Sequence, residues 1–192
     1  MKIDKQFLDI LILLIAFTLL AGCPSSETVE NVTELMEAFD GVNIHTLDLE
    51  KIVGIGKPAI PVLAWMLRST DQSTRWAAVM SLSAMGHELN VPHLVLADLK
   101  KACHDEDISV RVTAAELVLS FGDESGLPVL IAALVSDRIM QPSEPPTPVY
   151  TQVMSALTTY TTQSFSTKKD WQDWWDKNKR QLTWSVEDET FE

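Results

Sequence analysis

Apolar residues fall into two regimes along the 192 positions of this chain. The first is a solid block, Ile10-Leu-Ile-Leu-Leu-Ile-Ala-Phe-Thr-Leu-Leu20, with Lys2 and Lys5 ahead of it. Eleven residues are about half of what a helix needs to cross ~30 Å of hydrocarbon. The block therefore predicts the apolar region of a secretory signal, although Asp4 and Asp9 dilute the positive charge in front of it. The second regime starts near Ala59. Apolar positions there recur at helical spacing: Leu63, Met66 and Leu67; Ala77, Ala78, Leu82 and Met85; Leu94, Leu96 and Leu99.

These helices repeat. Pro92 and Pro128 are 36 residues apart, as are Gly86 and Gly122, Arg75 and Arg111, Asp71 and Asp107, and Ala78 and Ala114. Each period reads as a helical hairpin. Pro61 and Pro92 mark first turns, where the missing N–H costs nothing. Asp71 and Asp107 stand in the turns, placed to cap the second helix, and Gly86 and Gly122 close it with a positive φ. Ile52 to Gly56 can end an earlier second helix, with Val29 to Phe39 as its first. Downstream, Tyr150 to Leu157 aligns 75 residues after Arg75 to Leu82, so Tyr150 replaces the arginine. Gln141-Pro-Ser-Glu-Pro-Pro-Thr-Pro148 predicts an exposed inserted loop.

The tail has a different texture. Asp170 is expected to cap a helix that puts Trp171, Trp174 and Trp175 on one face, and Trp184 with the acidic end Glu187 to Glu192 is expected to fray.

The proline, the Asp-x-x-x-Arg turn, the Ala and Leu positions and the closing glycine resemble HEAT and HEAT-like repeats from Ala59 to Asp137. The resemblance implies an all-α, right-handed solenoid of about four hairpins. The Trp-rich end is similar to helices that cap HEAT-repeat proteins of bacterial envelopes. Leu20-Ala21-Gly22-Cys23 in turn resembles the lipobox of bacterial lipoproteins, which implies cleavage after Gly22 and acylation at Cys23. Several acyl chains hold a protein to a bilayer essentially permanently. The chain then divides into a signal peptide (1–22), a lipidated linker (23–30), a repeat domain (31–165) and a Trp-rich cap with acidic tail (166–192). Position 24 is proline rather than the aspartate that marks inner-membrane retention in enteric bacteria, which favours the periplasmic face of an outer membrane where there is one, and otherwise the outer face of the plasma membrane.

Charge and composition narrow the function. Fifteen basic against 27 acidic residues give a formal charge of −12, a poor match to nucleic acid. Two cysteines cannot build a disulfide framework, and no phosphate loop or nucleophile motif occurs. Asp71, Arg75, Asp107 and Arg111 admit a catalytic reading, but identical pairs one repeat apart fit a structural ladder better. Cys103-His104-Asp105-Glu106-Asp107 lacks the second Cys/His pair of a zinc site and the glycine of a calcium loop, so no metal or cofactor is expected. His45, His87 and His93 are dispersed.

Trp76, with Met80 and Glu116, is placed by register to face the groove of the second helices as a protein contact. The expectation is a non-catalytic scaffold that meets membrane lipid through Cys23 and an envelope protein through its groove. The alternatives are an envelope protein binding a sugar or metal ion, the tryptophans then stacking on sugar, and an enzyme akin to the phycobilisome lyases that HEAT-like units also build.

Overall fold

The computed structural model describes residues 56–86, 92–134 and 148–192. The apolar block, Cys23, the linker, the upstream segment Val29 to Phe39 and most of the proline-rich insertion lie outside the described residues.

Seven α-helices follow one another among the described residues: α1 Ile60–Met66, α2 Gln72–Met85, α3 Pro92–Ala102, α4 Ile108–Ser120, α5 Gly126–Ala133, α6 Pro148–Thr161 and α7 Lys168–Asn178. A 3-10 turn, Lys57–Ala59, leads into α1, and a short antiparallel pair, β1 Trp184–Ser185 and β2 Thr190–Phe191, ends the chain. The boundaries follow local chemistry. Pro61 sits in the first turn of α1, Pro92 opens α3 and Pro128 is in the first turn of α5, where helical N–H groups have no partner in any case. Asp71 and Asp107 are the N-caps of α2 and α4. Gly86 and Gly122 follow those helices with φ of 56° and 76°. After α6 the same left-handed region falls to Thr162, φ 55°, where the chain has no glycine to offer.

Packing makes three hairpins. Helices α1 and α2, α3 and α4, and α5 and α6 lie against each other, and α5 also rests on α4. Between hairpins, α1 meets α3 in one layer, while α2 meets α4 and α4 meets α6 in the other. The buried stripes keep one register: Ala78 and Leu82 on α2, Ala114 and Val118 on α4, Val153 and Leu157 on α6. The last pair lies 75 residues after the first, the spacing that places Tyr150 at the arginine position. Ile60, Leu63, Leu82, Leu99, Leu119, Leu127, Leu130, Ile131 and Leu157 are fully buried in one continuous core. Each such side chain contributes about 1.5–3 kcal/mol from leaving water. Small residues set the closest approach. A Cβ on Gly126 would lie 2.4 Å from the carbonyl oxygen of Ala115, so α5 starts almost in backbone contact with α4.

The C-terminal segment departs from expectation in two ways. Thr167, not Asp170, caps α7: its hydroxyl oxygen accepts from the Asp170 N–H at 3.1 Å and its O–H donates to the Asp170 carboxylate at 2.6 Å. The hydroxyl stands one turn before the amide it must reach, which Asp170 itself cannot do from inside the helix. The end is also ordered rather than frayed. Trp184 pairs with Phe191 across the strands, ring centroids 4.9 Å apart, and the Thr183 and Glu192 backbones exchange hydrogen bonds of 2.8 and 2.9 Å. Trp184 covers Gly122 and lies 6.5 Å from Tyr160, and Phe191 is buried. Burial of two aromatic rings offsets the entropy of ordering a short strand pair, while Glu187, Asp188 and Glu189 remain exposed in the turn between.

Helix α7 packs on α5, and Lys168 Nζ donates to the Ala132 carbonyl at 2.8 Å. Its three tryptophans do not share one fate. Trp171 is fully buried with Phe165 edge-on at 4.9 Å, whereas Trp174 and Trp175 are half-buried.

Candidate functional site

The turn between α3 and α4 is where charge concentrates. Arg75, in the first turn of α2, is 7% exposed. Its Nη1 donates to the Ser69 and Thr70 carbonyls at 3.0 and 3.2 Å, closing its own turn. The opposite edge crosses to the next hairpin: Nε donates to Asp105 Oδ2 at 2.6 Å, and Nη2 to Asp105 Oδ1 at 2.9 Å and Glu106 Oε1 at 3.1 Å. Burial works to raise the Asp105 pKa, yet the hydrogen bonds from Arg75 and the Asp107 N–H, with the positive charges of Arg75 and Arg111, together outweigh it and hold the carboxyl below its ordinary value. The arginine is shifted up, chiefly by the hydrogen bond to Asp105.

The sequence positions thus play different parts from a simple Asp–Arg ladder. Asp71 accepts from the Thr74 N–H and hydroxyl at 2.7 and 2.8 Å, and Asp107 accepts from the Ser109 and Val110 N–H groups at 2.9 and 3.0 Å. Each aspartate serves its own helix. The carboxylate that Arg75 grips is Asp105, two residues before the repeat position, and the tie to Asp107 comes from Gln72 Nε2 at 2.7 Å. Arg111 donates from Nη1 to the Asp105 and Glu106 carbonyls at 2.6 and 2.9 Å. A second crossing escaped sequence reasoning: Arg68 holds Asp98 through Nε and Nη2 at 2.7–3.2 Å, joining the turn after α1 to α3. Arg68 to Asp98 and Arg75 to Asp105 are both separated by 30 residues, a spacing that differs from the 36-residue repeat and shows only once the hairpins are packed.

Cys103 and its neighbours are occupied otherwise. The thiol is buried, and burial, with the nearby Asp123 carboxylate, pushes its pKa up to about 12. Asp105 is held by Arg75 and Asp107 caps α4, while His104 is exposed. No group of three or more His, Cys, Asp or Glu side chains is placed to hold a metal ion among the described residues. Among the same residues no helix is long and apolar enough to cross a membrane, and Cys23 lies outside them.

On the second-helix layer, Trp76 is 36% exposed and Met80 is half-buried one turn further along α2. Glu116 occupies on α4 the place that Met80 has on α2, and its carboxylate accepts from Gln152 Nε2 of α6 at 2.8 Å. The tryptophan is therefore partly open on this face among the described residues, whereas the glutamate already joins two hairpins.

The family model of HEAT repeats matches residues 60–139, the stretch that holds α1 to α5. Over that stretch the chain is similar to HEAT repeats, in keeping with its periodicity and hairpin packing. HEAT repeats generally mediate protein–protein interaction. No curated protein and no solved structure matches the chain.

Proposed function

We propose that this chain is a bacterial lipoprotein, anchored in the cell envelope through an acylated Cys23, whose HEAT-like hairpins form a right-handed solenoid that docks another envelope protein without catalysis. The observation that carries this reading is the run of HEAT-like repeats with an exposed Trp76 left on its second-helix face. Interface anchors are enriched in tryptophan, and a rigid ring loses little entropy on binding. In this reading α7 and the strand pair close the end of the stack, so a partner meets the ridged side and not an open apolar end. The lipid would leave the fold on a membrane surface, at the outer membrane where the cell has one.

The test separates anchor from groove. Cys23→Ser should move the protein from membranes into the soluble fraction, and continued retention would refute the anchor. A polypeptide that co-purifies in stoichiometric amount from mildly solubilised membranes should be lost on Trp76→Ala with the melting temperature unchanged. Retention of that partner by Trp76→Ala would refute the groove as the docking surface.

A further inference from the structure

One flank of α7 forms a cleft with the loop that precedes it. The buried side of the helix centres on Trp171, which stands perpendicular to Phe165 and to Trp174, with ring centroids 4.9 and 6.1 Å away. This aromatic cluster fixes where the two outer rings stand. Phe165 and Trp174 then line a cavity of about 590 Å³, broad and open to solvent. That volume is within the ~300–1,000 Å³ of small-molecule sites.

The polar side chains around these rings are held in place by the chain's own atoms. Asn178 Nδ2 donates to the Trp174 carbonyl at 2.7 Å, and Gln163 Nε2 to the Thr161 carbonyl at 3.3 Å. With the nitrogen of each amide tethered, its oxygen is the group that can accept from a ligand hydroxyl. Asp170 accepts from the Thr167 hydroxyl at 2.6 Å, and Asp173 pairs with Lys169 one turn back. A carboxylate can accept about four hydrogen bonds, so both keep capacity for a ligand. Lys169 and Lys177 offset the two carboxylates, which leaves the cleft without a net charge to draw in an ion. The lining is thus an indole set among fixed acceptors, and it suits a ligand that is neutral, rich in hydroxyls and apolar on one face.

We propose that this cleft binds a neutral saccharide, with one pyranose ring laid on Trp174 and its hydroxyls donating to Asp170, Asp173, Gln163 and Asn178. A pyranose with equatorial hydroxyls carries its hydrogen-bonding groups around the rim and its C–H groups on the two faces. That is the complement of an aromatic ring surrounded by acceptors. The indole covers the C–H face, and acceptors already locked in position replace the water that the hydroxyls give up, at little cost in side-chain entropy. The open side of the cleft lets neighbouring sugars of a chain extend past the bound one. The site is on the last helix, whereas Trp76 is on α2 of the first hairpin, so this reading and protein docking at Trp76 can fail separately.

The probes are cellotetraose, chitotetraose and maltotetraose, each mixed with the full-length protein in a detergent without sugar headgroups and followed by saturation-transfer difference NMR. Saturable binding of at least one is expected, with a Kd on the order of 1 mM for so open a site and the strongest transfer to C–H protons of a ring face. Trp174→Ala should weaken it at least about tenfold, and Trp174→Phe, which keeps a ring, by less. Asp173 is exposed and its pair with Lys169 adds little to folding, so a several-fold loss on Asp173→Ala reads the site even if Trp174→Ala unfolds. Trp76→Ala should leave saccharide binding unchanged. Absence of binding for all three sugars up to ~20 mM, full affinity in a Trp174→Ala protein of unchanged melting, or loss of binding on Trp76→Ala would overturn the proposal.

Discussion

Replacing Arg75 with alanine tests the physical basis of the stack most directly. The side chain and that of Asp105 are each 8% exposed, and the bond between them joins hairpin one to hairpin two. Removing one partner of a buried pair costs about 3–5 kcal/mol, largely because the other charge is left without compensation. Two features set the value near the lower end. Glu106 is 83% exposed and contributes almost nothing, and Asp105 keeps the hydrogen bond from the Asp107 N–H at 2.9 Å. On the other side, the Ser69 and Thr70 carbonyls lose their donor. About 3 kcal/mol is expected, which for a chain of this size lowers the melting temperature by about 6–12 °C.

The pH dependence supplies a second, independent readout. Asp105 has a lowered pKa in the folded protein, so its contribution is present above the unfolded value near 3.9 and is lost as pH falls through the lower folded value. The difference between wild type and Arg75→Ala should therefore be full at pH 7 and shrink below about pH 4. Thermal and urea unfolding followed by circular dichroism measure both. A melting temperature within about 1 °C of wild type, or a gap that stays constant from pH 7 to pH 3, would refute the reasoning.

Three further outcomes follow from the core. Gly126→Ala should cost about 1–3 kcal/mol in urea unfolding, because the added Cβ meets the Ala115 carbonyl oxygen at 2.4 Å and Leu119 Cγ at 2.7 Å, and one of these is rigid backbone. Trp171→Phe should stay within about 1 kcal/mol of wild type, whereas Trp171→Ala should cost about 3–5 kcal/mol. The Trp171 Nε1 is buried with no hydrogen-bond partner among the described residues, so phenylalanine removes a desolvated N–H while keeping most of the ring. In a Cys23→Ser background, Cys103 is the remaining thiol. With its pKa near 12 and its surface buried, it should resist alkylation at pH 8 until denaturant unfolds the fold; rapid labelling of native protein would contradict its placement in the core.

The repeat was legible because its signals are local. Prolines in first turns, aspartates at N-caps and glycines after helix ends each act within a turn of the chain, so one offset of 36 residues exposes the hairpins before any packing is known. Tyr150 at the arginine position was recoverable the same way, since the buried stripe of α6 keeps the register. The Arg75 partner was not. Asp105 and Asp107 both flank the turn, and which carboxylate meets the guanidinium depends on how far hairpin two slides along hairpin one.

By itself the sequence determined where the second helices of the repeats begin and end, which faces turn inward, and that the units are alike enough to stack, because backbone caps and hydrophobic period are short-range matters. Tertiary structure alone decided that Arg68 and Arg75 reach across 30 residues to Asp98 and Asp105, that one tryptophan of α7 is enclosed while two stay half-exposed, and that Trp184 and Phe191 hold an acidic tail in order. Each of these rests on surfaces brought together from distant parts of the chain, and burial, unlike capping, is a property of the surfaces that meet.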